Sequence, residues 1–118
     1  METTDLMIGN VVRKQRKDDC NPATIRTLSK DNIVISTSDC NAIAISPMFI
    51  GGYPIDDSVL EIIGFLRNDN VFTYDTYDIV KEDDEYTFIG SKIQYIHEIQ
   101  NIMKVVFNEE LPVNINEL

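Results

Sequence analysis

The stretch from Ser91 to Leu111 constrains the fold most strongly, because it has the periodicity of an amphipathic helix. At about 100° per residue its larger apolar side chains fall within one arc. These side chains are Tyr95, Ile96, Ile99, Ile102, Met103, Val106 and Phe107. Val105 lies outside the arc. The pattern predicts a helix within 91–111 whose apolar arc is covered by the rest of the domain, while the opposite face, with His97, Gln100 and Asn101, meets solvent.

The two ends of this predicted helix carry helix-terminating signals. Ser91 and Gln94 have the spacing of a capping box, which satisfies the first backbone N–H groups of a helix. Asn108 suits the left-handed conformation that follows a last turn. We therefore expect the helix to begin near Ser91 and to end just before Asn108.

The length of 118 residues is sufficient for one domain, 1–118, since a second domain would be too small to build its own core. No apolar run approaches the roughly 20 residues of a membrane span. The first ten residues have neither the basic nor the apolar region of a secretory signal. We expect a soluble protein of the cytoplasm with no membrane partner.

The formal charge of −10 is unevenly distributed along the chain. Residues 13–30 have a net charge of +4, residues 31–118 one of −12, and residues 1–12 one of −2. An acidic body repels nucleic acid and membrane surfaces at long range. A cluster of four cations, Arg13, Lys14, Arg16 and Lys17, is the local exception.

The residue types that hold metals or cofactors are poorly represented. Cys20 and Cys40 are the only cysteines, and we expect them to remain reduced structural thiols. With a single histidine and no CxxC pair, a zinc site has no ligand set. The acidic run 82–85 lacks the spacing and the glycine of a calcium loop, so we expect a solvated hairpin tip. No cofactor is predicted.

The first half of the chain predicts a small antiparallel sheet. Four short apolar segments are separated by polar turns at intervals of roughly ten residues. They are Leu6–Val12, Ala23–Leu28, Ile33–Ser36 and Ala42–Ile45. Residues 13–22 form a long hairpin loop in this interpretation. Strands of this spacing favour a sheet that curls into a partial barrel.

The second half predicts two helices and a hairpin. Residues 48–54, broken by two glycines and a proline, are expected to be an ordered connector rather than a strand. A short helix follows, capped by one of residues 56–58 and ended by Gly64. Val71–Val80 and Tyr86–Ile89 flank the acidic tip of a β-hairpin. The fold class is therefore α+β: a small antiparallel barrel-like sheet plus a β-hairpin, packed by a short middle helix and a longer C-terminal amphipathic helix.

Three segments resemble a family of small uncharacterised proteins of gut bacteria and their phages and prophages. The segments are DLMIGN at 5–10, PI…GF bracketing 54–65, and YIHEIQN with FNEEL at 95–111. Met7 stands where that family usually has Arg, Asn108 stands where it usually has Gly, and the basic insertion at 13–19 departs from its pattern. The resemblance implies an α+β fold and a phage or mobile-element context, and it assigns no catalytic residue.

Two groups of residues are candidates for function. His97 would need an oriented partner and a cleft to act as a general acid or base, and the alternative is a histidine that packs or hydrogen-bonds locally. No carboxylate lies three or four residues after it, and no GxSxG nucleophile motif is present. The basic cluster is either an exposed loop balanced by Asp18 and Asp19 or a finger that contacts nucleic-acid phosphate or an acidic protein patch.

The leading hypothesis is a non-enzymatic accessory protein of phage or mobile-element origin that binds a protein partner. A variant of it has the acidic body occupying a host nuclease or defence protein. The alternatives are a nucleic-acid-contacting protein that uses the basic loop 13–17, and an enzyme that depends on His97. The candidate partner-binding residues are Arg13, Lys14, Arg16, Lys17, His97, Gln100 and Asn101.

Overall fold

Two antiparallel sheets of five strands each and two α-helices make up the protein in a computed structural model, which describes residues 6–14, 22–29, 32–38 and 42–118. The α+β class expected from the sequence is confirmed. Cys20, Cys40, Arg16 and Lys17 lie outside the described residues, as does most of the predicted loop 13–22. None of the described helices has the length and apolar character needed to cross a membrane.

The first sheet has the strand order β4-β3-β2-β1-β5. Its strands are β1 (Val11–Lys14), β2 (Pro22–Leu28), β3 (Ile33–Ser36), β4 (Ile43–Ile45) and β5 (Ile50–Gly52). One face of this sheet forms a buried apolar cluster, to which Leu6 contributes from outside the strands. Its members are Leu6, Val12, Ala23, Ile25, Ile33, Ile35, Ile45 and Ile50. In β2 and β3 the members of this cluster are two residues apart, Ala23 with Ile25 and Ile33 with Ile35, which is the side-chain period of a strand.

The strand order leaves β4 and β5 at opposite edges of this sheet within the described residues. The pairing of β2 with β3 shifts register between Ile25 and Thr27, and such a bulge increases local twist. The sheet is therefore antiparallel and open in strand order. Its barrel-like curvature stays a prediction.

The first strand begins later than expected. Leu6–Asn10 was predicted to be extended, but Ile8 and Gly9 form a turn, with φ of +94° at Gly9. The Asn10 side chain accepts a 2.7 Å hydrogen bond from the Met7 N–H and closes that turn. A glycine with positive φ and a side chain that hydrogen-bonds three residues back favour a turn over a strand, and the strand prediction for 6–10 was wrong.

The first strand also extends further than expected, because it gains a partner that sequence analysis missed. Arg13 pairs with Gly51 and Lys14 with Ile50, so β1 runs into the segment predicted to be a loop. The connector prediction for 48–54 is correct for the 3-10 turn Pro47–Phe49 and wrong for β5. Two glycines weaken a strand on propensity grounds, and here tertiary packing outweighs that preference.

The second sheet is a meander of five neighbouring strands. They are β6 (Leu66–Asn68), β7 (Val71–Tyr74), β8 (Tyr77–Glu82), β9 (Glu85–Phe88) and β10 (Ser91–Ile93). The predicted single strand Val71–Val80 is in fact two strands, because the chain turns at Asp75 with φ of +54°. The acidic hairpin tip is confirmed, and Asp83 and Asp84 both adopt positive φ there.

Two helices pack on the second sheet. Helix α1 (Asp57–Ile62) begins after Asp56, whose carboxylate accepts a 2.8 Å hydrogen bond from the Val59 N–H. Gly64 follows it with φ of +113°, which confirms both predicted ends. Helix α2 (Ile96–Phe107) ends as expected at Asn108, which is left-handed with φ of +54°.

The start of the C-terminal helix was predicted wrongly. Ser91–Ile93 is strand β10, and the helix begins five residues after Ser91. Glu98 takes the place of the predicted cap: its Oε1 atom accepts hydrogen bonds from the N–H groups of Gln94 (2.8 Å) and Tyr95 (3.0 Å). Pairing of Ser91–Ile93 with Tyr86–Phe88 holds these residues extended, which helical periodicity in the sequence did not reveal.

Candidate functional site

The face of α2 that was expected to meet solvent lies largely against the protein. His97 is 4% exposed, and Gln100 and Asn101 are half-buried. Val105 and Val106 are 74% and 57% exposed. The solvent-facing prediction was wrong for these three polar residues because α2 contacts two surfaces. Ile96, Ile99 and Met103 pack in the core of the second sheet, and the adjacent polar side chains contact the start of β1.

Gln100 joins α2 to the first sheet through both atoms of its amide group. Its Oε1 accepts a 2.7 Å hydrogen bond from the N–H of Val11, and its Nε2 donates one of 3.2 Å to the Gly9 carbonyl. Val11 is only 1% exposed, so its N–H would have little access to water without Gln100. Gln100 thus satisfies a buried donor at the start of β1.

Asn101 makes the next contact along the helix. Its Oδ1 accepts a 2.7 Å hydrogen bond from Nδ2 of Asn10, which is 3% exposed. Asn10 in turn accepts the hydrogen bond from the Met7 N–H. This sequence of hydrogen bonds holds the turn at residues 6–10 beside α2 and brings the Met7 side chain to the helix surface.

His97 packs against the ring of Tyr95. The two rings are nearly parallel, with an interplanar angle of 9° and centroids 5.6 Å apart. The Tyr95 ring also lies so close to Gly52 that a Cβ atom there would overlap ring carbons. His97 is therefore positioned by stacking on a residue that is itself in contact with β5.

A groove of about 680 Å³ lies between β10 and α2. Its lining residues are Met7, Ser91, Lys92, Ile93, Tyr95, His97, Glu98, Asn101, Ile102 and Val105. Two of the predicted partner-binding residues, His97 and Asn101, are thus brought to one surface. Gln100 lines a separate cavity of about 110 Å³, together with residues such as Asn10 and Leu111.

The described members of the basic cluster, Arg13 and Lys14, do not lie at this groove. Arg13 is half-buried in β1, and Lys14, on the same strand, is 9% exposed. Neither side chain lines the groove. The expectation that both project from a hairpin loop was wrong, because the pairing of β1 with β5 extends the strand through them.

The structure shows a polar cluster around Asp57 that sequence analysis missed. Its carboxylate accepts hydrogen bonds from Tyr86 Oη (2.6 Å), Lys81 Nζ (3.0 and 3.1 Å) and Arg67 Nη1 (3.0 Å). The hydrogen bond from Tyr86, followed by that from Lys81, lowers the pKa of Asp57 below its ordinary value. Burial, and then the hydrogen bond to Asp57, raises the pKa of Tyr86.

The cluster joins α1 to three strands of the second sheet. Lys81 and Tyr86 are cross-strand partners on β8 and β9, Arg67 lies on β6, and Asp57 is in the first turn of α1. The predicted hairpin placed Lys81 in its tip, between Val80 and Tyr86, so it did not show the pairing of Lys81 with Tyr86. The approach of Asp57 depends on the packing of α1. Donors already surround the carboxylate, so the arrangement is suited to holding α1 in place.

Metal-ligating side chains do not converge in the part of the chain that the structure describes: no group of three or more His, Cys, Asp or Glu residues there could hold an ion. No protein-family model matches the sequence, and neither a curated protein nor a solved structure shows a significant match to it.

Proposed function

We propose that this chain is a small accessory protein of phage or mobile-element origin that acts in the bacterial cytoplasm by binding a protein partner without catalysis. The groove between β10 and α2 carries the proposal. It combines apolar side chains such as Ile102 and the exposed Val105 with polar ones such as Ser91 and Glu98. Concave surfaces with apolar linings and a few polar groups are the usual places where ligands and partner segments bind.

The polar residues in and beside this groove support binding over chemistry. Asn101 and Glu98 are engaged in hydrogen bonds that hold the turn at 6–10 and the start of α2. His97 is stacked and 4% exposed. Groups committed to structural contacts provide a rigid, preorganised surface, which lowers the entropic cost of binding.

Affinity capture from a bacterial lysate tests the proposal, with the tagged chain as bait and with nuclease-treated and untreated samples in parallel. We expect one protein to be recovered in an amount comparable to the bait and to survive nuclease treatment. Recovery that disappears with nuclease would instead favour nucleic-acid contact through the basic residues. Recovery of no protein at comparable yield would contradict the proposal.

A further inference from the structure

The groove has the geometry of a site for an extended peptide. All three residues of β10 line it, although alternate side chains of a strand point to opposite faces of a sheet. The groove therefore follows the edge of β10. β10 is the last strand of its sheet, and β9 is its one strand partner among the described residues. The residues that follow β10 pair with 53–55 through the bridge between Tyr95 and Pro54, so the unpaired edge is confined to Ser91–Ile93.

The opposite wall of the groove is a ridge of α2. His97, Asn101 and Val105 are spaced four residues apart and so lie above one another on the helix, and Glu98 and Ile102 form the neighbouring row. The groove thus has the edge of β10 on one side and this row of α2 side chains on the other. An extended chain can hydrogen-bond to the strand edge there while its alternate side chains contact the helix.

The charge of the protein indicates the chemistry of the occupant. Residues 42–118 contain four basic and fourteen acidic side chains, a net charge of −10. All four basic side chains already lie within 3.1 Å of a carboxylate: Arg67 and Lys81 contact Asp57, Lys92 contacts Glu85, and Lys104 contacts Glu110. A cationic partner complements the remaining negative charge, whereas an acidic one is repelled.

We propose that the groove binds an extended segment of a partner protein as an added strand on β10, and that this segment has apolar, β-branched residues between flanking Lys or Arg residues. The proposal rests on the proposed function and specifies its partner. Apolar side chains of the segment contact Ile102 and Val105, its backbone pairs with β10, and its cationic flanks face the acidic body of the protein.

Val105 and Val106 provide a matched pair of variants for the test. Both are exposed valines in the last turns of α2, and only Val105 lines the groove. Val105→Lys and Val106→Lys make the same change in charge and size on the same helix. Neither removes a buried side chain, so both variants should remain folded, and their melting temperatures will confirm this.

The test of the groove uses a displayed library of random peptides, which is selected on the immobilised wild-type protein. We expect enriched peptides with alternating β-branched residues and basic flanks, whose affinity falls with rising salt. Val105→Lys should weaken their binding about tenfold or more, and Val106→Lys should leave it nearly unchanged. N-methylation of alternate backbone nitrogens in the best peptide should abolish binding, because a methylated nitrogen cannot donate to β10.

The proposal is overturned if the wild-type protein enriches no more peptide than Val105→Lys does. It is also overturned if Val105→Lys and Val106→Lys bind the peptides equally well, or if the enriched peptides are acidic. Equal binding of the N-methylated peptide would exclude strand addition. If lysate capture still recovers a partner protein under any of these outcomes, the proposed function stands and the assignment of the groove falls.

Discussion

The side-chain oxygen of Gln100 accepts a 2.7 Å hydrogen bond from the backbone N–H of Val11, and this contact joins the C-terminal helix to the first sheet. Val11 is the residue of β1 that enters the core of the second sheet, where it packs with residues such as Ile99 and Met103. A polar contact and an apolar contact thus act at the same position, so the orientation of α2 on β1 is determined by both.

Gln100→Ala should lower the free energy of unfolding by about 1–3 kcal/mol, because it leaves the buried Val11 N–H without an acceptor. Gln94→Ala, at an exposed position just before α2, is the control and should change it by less than about 0.5 kcal/mol. Denaturant unfolding of both variants measures the difference. Equal stabilities for the two variants would mean that water satisfies the Val11 N–H.

Gly52→Ala should destabilise the protein by about 1–3 kcal/mol, because the new Cβ overlaps the Tyr95 ring and forces the ring or β5 to move. A double-mutant cycle isolates this cause. In a Tyr95→Ala background the ring is absent, and Gly52→Ala should be close to neutral there. A full penalty in both backgrounds would place the cost in the backbone of β5.

Asp57→Asn tests the polar cluster at the start of α1. The folded state lowers the pKa of Asp57, chiefly through the Tyr86 hydrogen bond, so its charged form is the stabilising one. That stability is complete above the unfolded pKa of about 4 and is lost as the pH falls through the lower folded pKa. Near neutral pH we expect Asp57→Asn to be less stable than wild type by about 1–2 kcal/mol.

The pH dependence of stability tests the role of the Asp57 charge more specifically than one measurement near neutral pH. The stability gap between wild type and Asp57→Asn should narrow as the pH falls below about 4, since protonation removes the charge from the wild-type residue. Asp69→Asn removes the same charge from an exposed turn and serves as the control. Denaturant unfolding over a pH series measures both gaps. A gap for Asp57→Asn that does not change with pH would contradict the assigned role of the charge.

Much of the fold could be predicted where local signals agree with one another. The strand Ile33–Ser36, the capped and glycine-terminated α1, the acidic hairpin tip and the left-handed Asn108 lie where the sequence predicts them. At each of these places a short-range signal, such as a capping carboxylate or a left-handed Asn, is sufficient. The prediction failed at β5, whose partner β1 is distant in the sequence. It also failed at β10, where the helical periodicity of the following residues masked a local pairing with β9.

Of the residues that the sequence singled out for partner binding, His97 and Asn101 line the groove, whereas Arg13 and Lys14 lie in β1 away from it. Their role in binding stays a prediction. The helical wheel placed the polar side chains of α2 in solvent because a wheel assumes that a helix has one packing partner. It could not show that the turn at residues 6–10 would supply hydrogen-bonding groups to the second face.

Side-chain periodicity and capping chemistry were enough to establish an amphipathic C-terminal helix, a strand-rich first half and a charge concentrated in the second half. Tertiary structure alone decided that Ile50–Gly52 would be an edge strand and that Gln100 and Asn101 would be partly buried. The physical reason is that backbone hydrogen bonds and buried polar pairs require partners, and the partners here lie up to 91 residues away in the chain. The groove beside β10 results from those long-range contacts.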